Sequence, residues 1–203
     1  MGMRPRYIIV AGVNGAGKST LYSSQPWLFE GTRRINADEW LKANGGDWRS
    51  PADNVKAMRA VLKDLKQALE KGESIHQETT LAGTGKPFLN LIDKAHAKGY
   101  EVTVLYVTLD SPETAIDRVA DRVKKGGHGV DEDLIRKRYD RSKENLKVIA
   151  EVADNVLMFD NSKAFTQTYE RRGNHILYDI RKTQTQPTKN QNQHKDNTQS
   201  KHL

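Results

Sequence analysis

At 203 residues, of which 36% are hydrophobic and 29% charged, the chain is long enough for one domain with a sizeable core and too short for two full ones. It contains no cysteine, which excludes disulfides and thiolate metal centres, and no apolar run of transmembrane length, so a cytoplasmic protein without a membrane partner is expected. The net charge of +7 overstates the basic character of the folded part, because five basic residues from Arg181 to Lys201 against Asp196 carry +4 of it. A mildly basic domain suits an anionic small substrate as well as a nucleic acid.

Met1 to Arg6 is basic, but the apolar run behind it stops at Val13 and enters a glycine-rich turn, unlike a signal peptide. Tyr7 to Leu21 reads YIIVAGVNGAGKSTL: a β-branched strand, a turn through Gly12, Gly15 and Gly17, and a helix start at Lys18-Ser19-Thr20. From Gly12 to Ser19 the spacing is that of a phosphate loop, whose glycines let backbone N–H groups converge on phosphate oxygens. Gly12, Asn14, Gly15, Ala16, Gly17, Lys18, Ser19 and Thr20 are therefore the expected nucleotide cradle. Lys18 would reach the β/γ-phosphates and Ser19 would bind Mg²⁺, with the helix dipole adding positive potential.

Pro26 interrupts the first helix, and Pro26 to Phe29 forms an apolar cluster expected to pack. Arg33 to Asn36 reads as a short second strand with Asp38 at its carboxyl edge, and Glu39 to Asn44 as a short helix. Pro51 to Lys71 carries Val55, Met58, Val61, Leu62, Leu65 and Leu69 at helical spacing, an amphipathic helix for one sheet face. Gly72 stops it, Ser74 to Glu78 is a third strand leading into Thr79-Thr80-Leu81, and a helix from Lys86 to Lys98 ends at Gly99.

Glu101 to Leu109, EVTVLYVTL, is the clearest buried strand. Asp110 behind it superficially resembles a Walker B aspartate, but Asp110-Ser111-Pro112-Glu113 reads better as a helix start with proline at its first position. Helices over Ser111–Lys125 and Asp131–Ala153 flank Gly126-Gly127-His128-Gly129. Asn155 to Phe159 is a fifth strand, and Phe165–Arg172 with His175–Arg181 around Gly173-Asn174 reads as a hairpin. Thr183 to Leu203 has no aliphatic residue before the last position and is expected to be a disordered polar tail.

Strands alternating with helices behind a phosphate loop predict an α/β fold of the P-loop NTPase type: three layers, a mostly parallel five-stranded sheet, and a C-terminal hairpin. Residues 1–182 form its domain and 183–203 the tail. A guanine-reading Asn-Lys-x-Asp and an ABC-type signature are absent, which leaves a small kinase. Such an enzyme needs a base, acceptor-holding groups, and cations that close over the phosphoryl group. Asp38 is the candidate base, set against a role as cap of the helix behind it. Glu78 and Thr80 are candidate acceptor ligands. Arg118, Arg122, Arg136, Arg138 and Arg141 crowd the helices around the glycine linker, where they could swing guanidinium groups onto phosphate.

Taken together, AGVNGAGKST, INADEW, QETTLAG and RVKKGGHGVDEDLIRKRY, in this order and at these distances, resemble the short, single-domain members of the zeta toxin family over about residues 7–161. The resemblance implies a kinase that uses ATP and Mg²⁺ to phosphorylate a sugar hydroxyl of UDP-N-acetylglucosamine, and, in many members, a small helical antitoxin that obstructs the nucleotide site. By position it matches Lys18 to the phosphate-loop lysine, Asp38 to the catalytic base, and Glu78 and Thr80 to acceptor-binding residues. Arg122 and Arg136 best match the arginines that hold the transferred phosphate, with Arg118 and Arg138 close enough to substitute. His128 could touch substrate or serve as a local hydrogen-bonding residue. Two alternatives stand beside this reading: a kinase of a nucleoside, sugar or cofactor, and a nucleic-acid-associated ATPase or binding module, motivated by an isoelectric point near 9.5 and the basic tail.

Overall fold

The computed structural model describes residues 4–181, so the tail expected from Thr183 lies outside the described residues. Seven strands form one sheet in the order β2-β3-β1-β4-β5-β6-β7. They are β1 Arg6–Ala11, β2 Arg33–Ile35, β3 Ile75–Thr79, β4 Glu101–Thr108, β5 Asn155–Asp160, β6 Thr166–Arg172 and β7 His175–Asp179. The helices are α1 Lys18–Ser24, α2 Ala37–Ala43, α3 Pro51–Lys71, α4 Lys86–Ala97, α5 Pro112–Lys124 and α6 Glu132–Val152.

The first five strands are parallel, as expected for strands joined through helices. The hairpin is an extension of the same sheet rather than an appendage: β6 pairs antiparallel with β5, and β7 with β6. The expected five strands plus hairpin thus become a seven-stranded sheet, because β5 would otherwise be an unpaired edge.

Alternation along β1 sends Tyr7, Ile9 and Ala11 to one face and Ile8 and Val10 to the other. The first face is covered by α3, α4 and the C-terminal half of α6, through Leu65, Ile92 and Ile149. The second is covered by α1, α5 and the start of α6, through Leu21, Val119 and Ile135. Helix α6 therefore contributes to both cores. Helix starts follow local chemistry: Ser50 and Ser111 accept from the backbone N–H groups of Asp53 and Thr114, with prolines in the first turn. Ser111 thus caps α5, and Asp110 accepts from the Thr114 hydroxyl at 2.8 Å.

The cluster at Pro26–Phe29 is a 3-10 turn. Leu28 and Phe29 pack against the core, whereas Trp27 is 57% exposed. Phe29 also lies against Tyr22 and His76. The Thr32 hydroxyl donates to the Phe29 carbonyl at 2.6 Å, so its oxygen is left to accept from Nδ1–H of His76 at 2.8 Å. Nε2 then carries the lone pair and is buried without a partner among the described residues.

Burial, reinforced by Arg34, pushes the His76 imidazole down to about 4. The unfolded chain takes up this proton near 6.5, so stability present above that pH is lost as pH falls toward 4. His76→Phe, which keeps an aromatic ring against Tyr22 and Phe29, is expected to flatten the dependence of Tm on pH between about 6.5 and 4 relative to the unsubstituted protein. Parallel curves for the two proteins would remove His76 as the cause.

Candidate active site

The register of β1 against β3 pairs Ala11 with Thr79, so Gly12 and Thr80 leave neighbouring strands side by side at their carboxyl ends. That edge is where ligands gather in open α/β sheets. Gly12 has φ +147, and a β-carbon there would lie 2.5 Å from the Val107 carbonyl oxygen. Gly17, with φ +93, begins α1 without a side-chain cap. Beside the loop, Asn161 donates to the Ala16 carbonyl at 2.9 Å, and Arg118 donates to the carbonyl of Asn161 at 2.6 Å.

Lys18 is buried, and its ammonium donates to the carbonyls of Gly12 at 2.9 Å and Val13 at 3.4 Å. Its pKa is pushed down, first by burial; Glu78 and Asp38 oppose the shift, while Arg122 and Arg138 add to it. Glu78 Oε1 stands 4.0 Å from the ammonium, and Oε2 accepts from Arg34 at 2.7 Å and Asn36 at 3.0 Å. Thr80, just beyond, lines the cleft.

Capping of α2 falls to Asn36, not Asp38. The Asn36 side chain accepts from the N–H groups of Asp38 and Glu39 at 2.8 and 3.3 Å, a contact of a kind that contributes about 1 kcal/mol. The Asp38 carboxylate accepts no hydrogen bond among the described residues. It faces the cleft, where its charge acts on Lys18, His128 and Arg138.

The five arginines separate by helix face. Arg138 is half-buried, lines the cleft and donates to Asn14 Oδ1 of the phosphate loop at 2.9 Å. Arg122 is exposed, yet its charge is felt at both Lys18 and His128. Arg136 turns outward and pairs with Glu113, Arg118 holds backbone carbonyls, and Arg141 lies at the cleft wall, 3.4 Å from Glu144. His128 stacks on Trp48 with ring centroids 5.0 Å apart. Its pKa is lowered mainly by burial.

Lys18, Asp38, Glu78, Thr80, His128 and Arg138 border a cleft of about 1260 Å³. Beyond Asp38 its wall is apolar, made by Val55, Met58 and Leu62 of α3 together with Phe88, Leu91 and Leu134. The single amphipathic stripe expected for α3 is split: Val61, Leu65 and Leu69 enter the core, while Met58 remains 67% exposed. The sequence signal was an apolar arc wider than one packing face needs. Trp48 reaches the site only through the fold, whereas Arg34 and Asn36 lie within four residues of Asp38 in sequence and the fold adds only their contacts with Glu78.

The loop fits a phosphate: glycines where side chains would collide, and a buried cation whose partners among the loop atoms are neutral carbonyls. Ser19 is exposed at the start of α1. Among the described residues no group of three or more His, Cys, Asp or Glu could hold a metal ion; the Ser19 hydroxyl beside the loop is of the oxygen type that Mg²⁺ takes together with phosphate.

A family model described as zeta toxin matches residues 2–183. The chain belongs to the zeta toxin family. It is 25% identical over 137 residues to an uncharacterised protein of Haemophilus influenzae, covering 68% of this chain and 94% of that protein. Among solved structures it is similar to one from the PezAT chromosomal toxin-antitoxin system of Streptococcus pneumoniae, with a TM-score of 0.59 and 19% identity over 83% of this chain and 72% of that chain. It is also similar to AvrRxo1-ORF1:-ORF2 with ATP (0.65, 14%, 86% of this chain and 60% of that chain) and to a putative kinase from Chloroflexus aurantiacus (0.54, 19%, 79% and 90%). The chain spans less than two thirds of the AvrRxo1 chain. At these identities the likeness is one of fold, an α/β architecture similar to that of P-loop kinases.

Proposed function

We propose that this zeta toxin family member is an ATP-dependent kinase that phosphorylates a hydroxyl of a UDP-activated amino sugar, UDP-N-acetylglucosamine above all. The observation that carries the reading is the Asp38 carboxylate, released from capping by Asn36 and facing Lys18 and Arg138 across the cleft. A carboxylate held so can take the acceptor's proton as its oxygen attacks in line. ATP is supported by the loop geometry and by the similarity to a fold solved with ATP. Bound Mg²⁺ would neutralise charge on the β/γ-phosphates, with Ser19 as its protein ligand.

In this reading Lys18 leaves the Gly12 and Val13 carbonyls for the phosphates. Glu78 and Thr80 hold the acceptor, Glu78 being kept in place by Arg34 and Asn36. Of the two arginines matched by position in the family, Arg122 keeps the phosphate-holding role, and Arg138, which already donates to Asn14 of the loop, takes the second place rather than Arg136, which turns outward onto Glu113. His128 contributes to the substrate wall through its stack on Trp48. The family, and the toxin-antitoxin context of the PezAT structure, support a small antitoxin as partner.

The deciding experiment incubates the protein with ATP, Mg²⁺ and, separately, UDP-sugars, nucleosides and RNA, and identifies products by mass. A gain of one phosphoryl group on UDP-N-acetylglucosamine is expected. Phosphorylation of a nucleoside with no UDP-sugar product would overturn the proposal.

A further inference from the structure

Of the buried polar residues outside the machinery described above, Asn145 is the one whose side chain holds the loop behind Glu78 and Thr80. Asn145 is 8% exposed in mid-α6, and its Nδ2 donates to the carbonyls of Leu81 at 2.7 Å and Gly83 at 2.8 Å. A β-carbon on Gly85 would approach its Oδ1 to 2.9 Å. The amide is thus wedged into the loop that carries the chain from β3 to α4, directly after Glu78 and Thr80. That loop needs holding. Leu81 is the one non-glycine residue with positive φ among the described residues, at +57; it is fully buried, in a conformation that a β-carbon disfavours.

Seven residues earlier on α6, Arg138 holds Asn14 of the phosphate loop. Two helical turns separate them, roughly 10 Å along one face. Between them Tyr139 donates to the Leu109 carbonyl at 2.8 Å, and Ser142 pairs with Tyr106 at 3.1 Å, which pins α6 to the end of β4.

We propose that Asn145 is a positioning residue: through Leu81 and Gly83 it sets the place of Glu78 and Thr80 relative to the phosphate loop, with α6 as the spacer between donor and acceptor halves. The proposal rests on the kinase reading above. Its chemical content is a distance, since misplacing an acceptor by about 1 Å can lower turnover roughly 10²-fold.

The test compares the unsubstituted protein, Asn145→Ala and Ile149→Val, the last shortening by one methyl a fully buried side chain one turn further along the same helix while leaving the Asn145 amide in place. With ATP, Mg²⁺ and UDP-N-acetylglucosamine, Asn145→Ala should lower kcat for acceptor phosphorylation roughly 10²-fold. It should leave KM for ATP and acceptor-independent ATP hydrolysis unchanged. Amides of residues 80–84 should exchange hydrogen faster while those of 12–19 do not. Ile149→Val should lower Tm and change none of these.

Equal loss of hydrolysis and phosphotransfer in Asn145→Ala, or the same kinetic change in Ile149→Val, would overturn the proposal. If no UDP-sugar is phosphorylated by the unsubstituted protein, the substrate reading fails alone and hydrogen exchange judges Asn145: unchanged protection at 80–84 overturns its role, and local loss supports it. Should Asn145→Ala not fold, Asn145→Ser takes its place, leaving a smaller cavity and a donor too short for both carbonyls.

Discussion

Asp38→Ala is expected to lower acceptor-dependent phosphotransfer by about 10² to 10⁴-fold, the range general-base removal gives, with little change in ATP affinity. Because Asn36 supplies the cap of α2, the substitution removes no hydrogen bond that holds the helix. What is lost structurally is a first-turn carboxylate at a helix N-terminus, about 0.3–1 kcal/mol. Activity and stability should therefore separate widely. ADP release with and without UDP-N-acetylglucosamine, read beside Tm, checks this. Asp38→Asn sharpens it, since the amide keeps shape but cannot take a proton; phosphotransfer within a few-fold of the unsubstituted protein would remove Asp38 as base.

Lys18→Met is expected to cost roughly 10² to 10³-fold in phosphotransfer, comparable to deleting one preorganised donor to developing charge, and to raise the stability of the nucleotide-free protein or leave it unchanged. Burial lowers the Lys18 pKa in the fold, so the unfolded chain binds this proton more tightly. The ammonium therefore opposes folding at neutral pH, and the opposition fades as pH rises through the folded pKa. Methionine fills similar volume without a charge. Glu78 keeps Arg34 and Asn36 as partners after the exchange. Thermal melts without nucleotide, paired with ATP titrations, provide the measurement. A Lys18→Met protein that melts lower yet retains phosphotransfer would place Lys18 in the structure rather than in the reaction.

Both expectations reflect one design: the site is held by neighbours that do no chemistry themselves. Asn36 caps the helix and also donates to Glu78. Arg118 and Asn161 hold the rim of the phosphate loop. Local rules are obeyed at the capped starts of α2, α3, α5 and α6, and they give way where function would be served, as at the buried ammonium of Lys18 and the left-handed Leu81.

What the sequence determined by itself is what neighbouring residues decide. The phosphate loop is one contiguous stretch, Gly12 to Thr20. Its strand, the helix starts at Pro51 and Pro112, and the Gly173-Asn174 turn rest on contacts within a few residues, so they were legible in order and nearly to the residue. The tertiary structure alone decided what depends on helix phase and strand order. Arg136 and Arg138 are two positions apart, which on a helix is about 200° of rotation: one meets Glu113 at the surface, the other meets Asn14. Asn36 and Asp38 are both capping residue types, and only backbone geometry selects between them. Nothing in its neighbourhood, Lys143-Glu144-Asn145-Leu146-Lys147, marks Asn145 as a buried residue. Its purpose appears only when Leu81 and Gly83, more than sixty positions away, arrive at its amide.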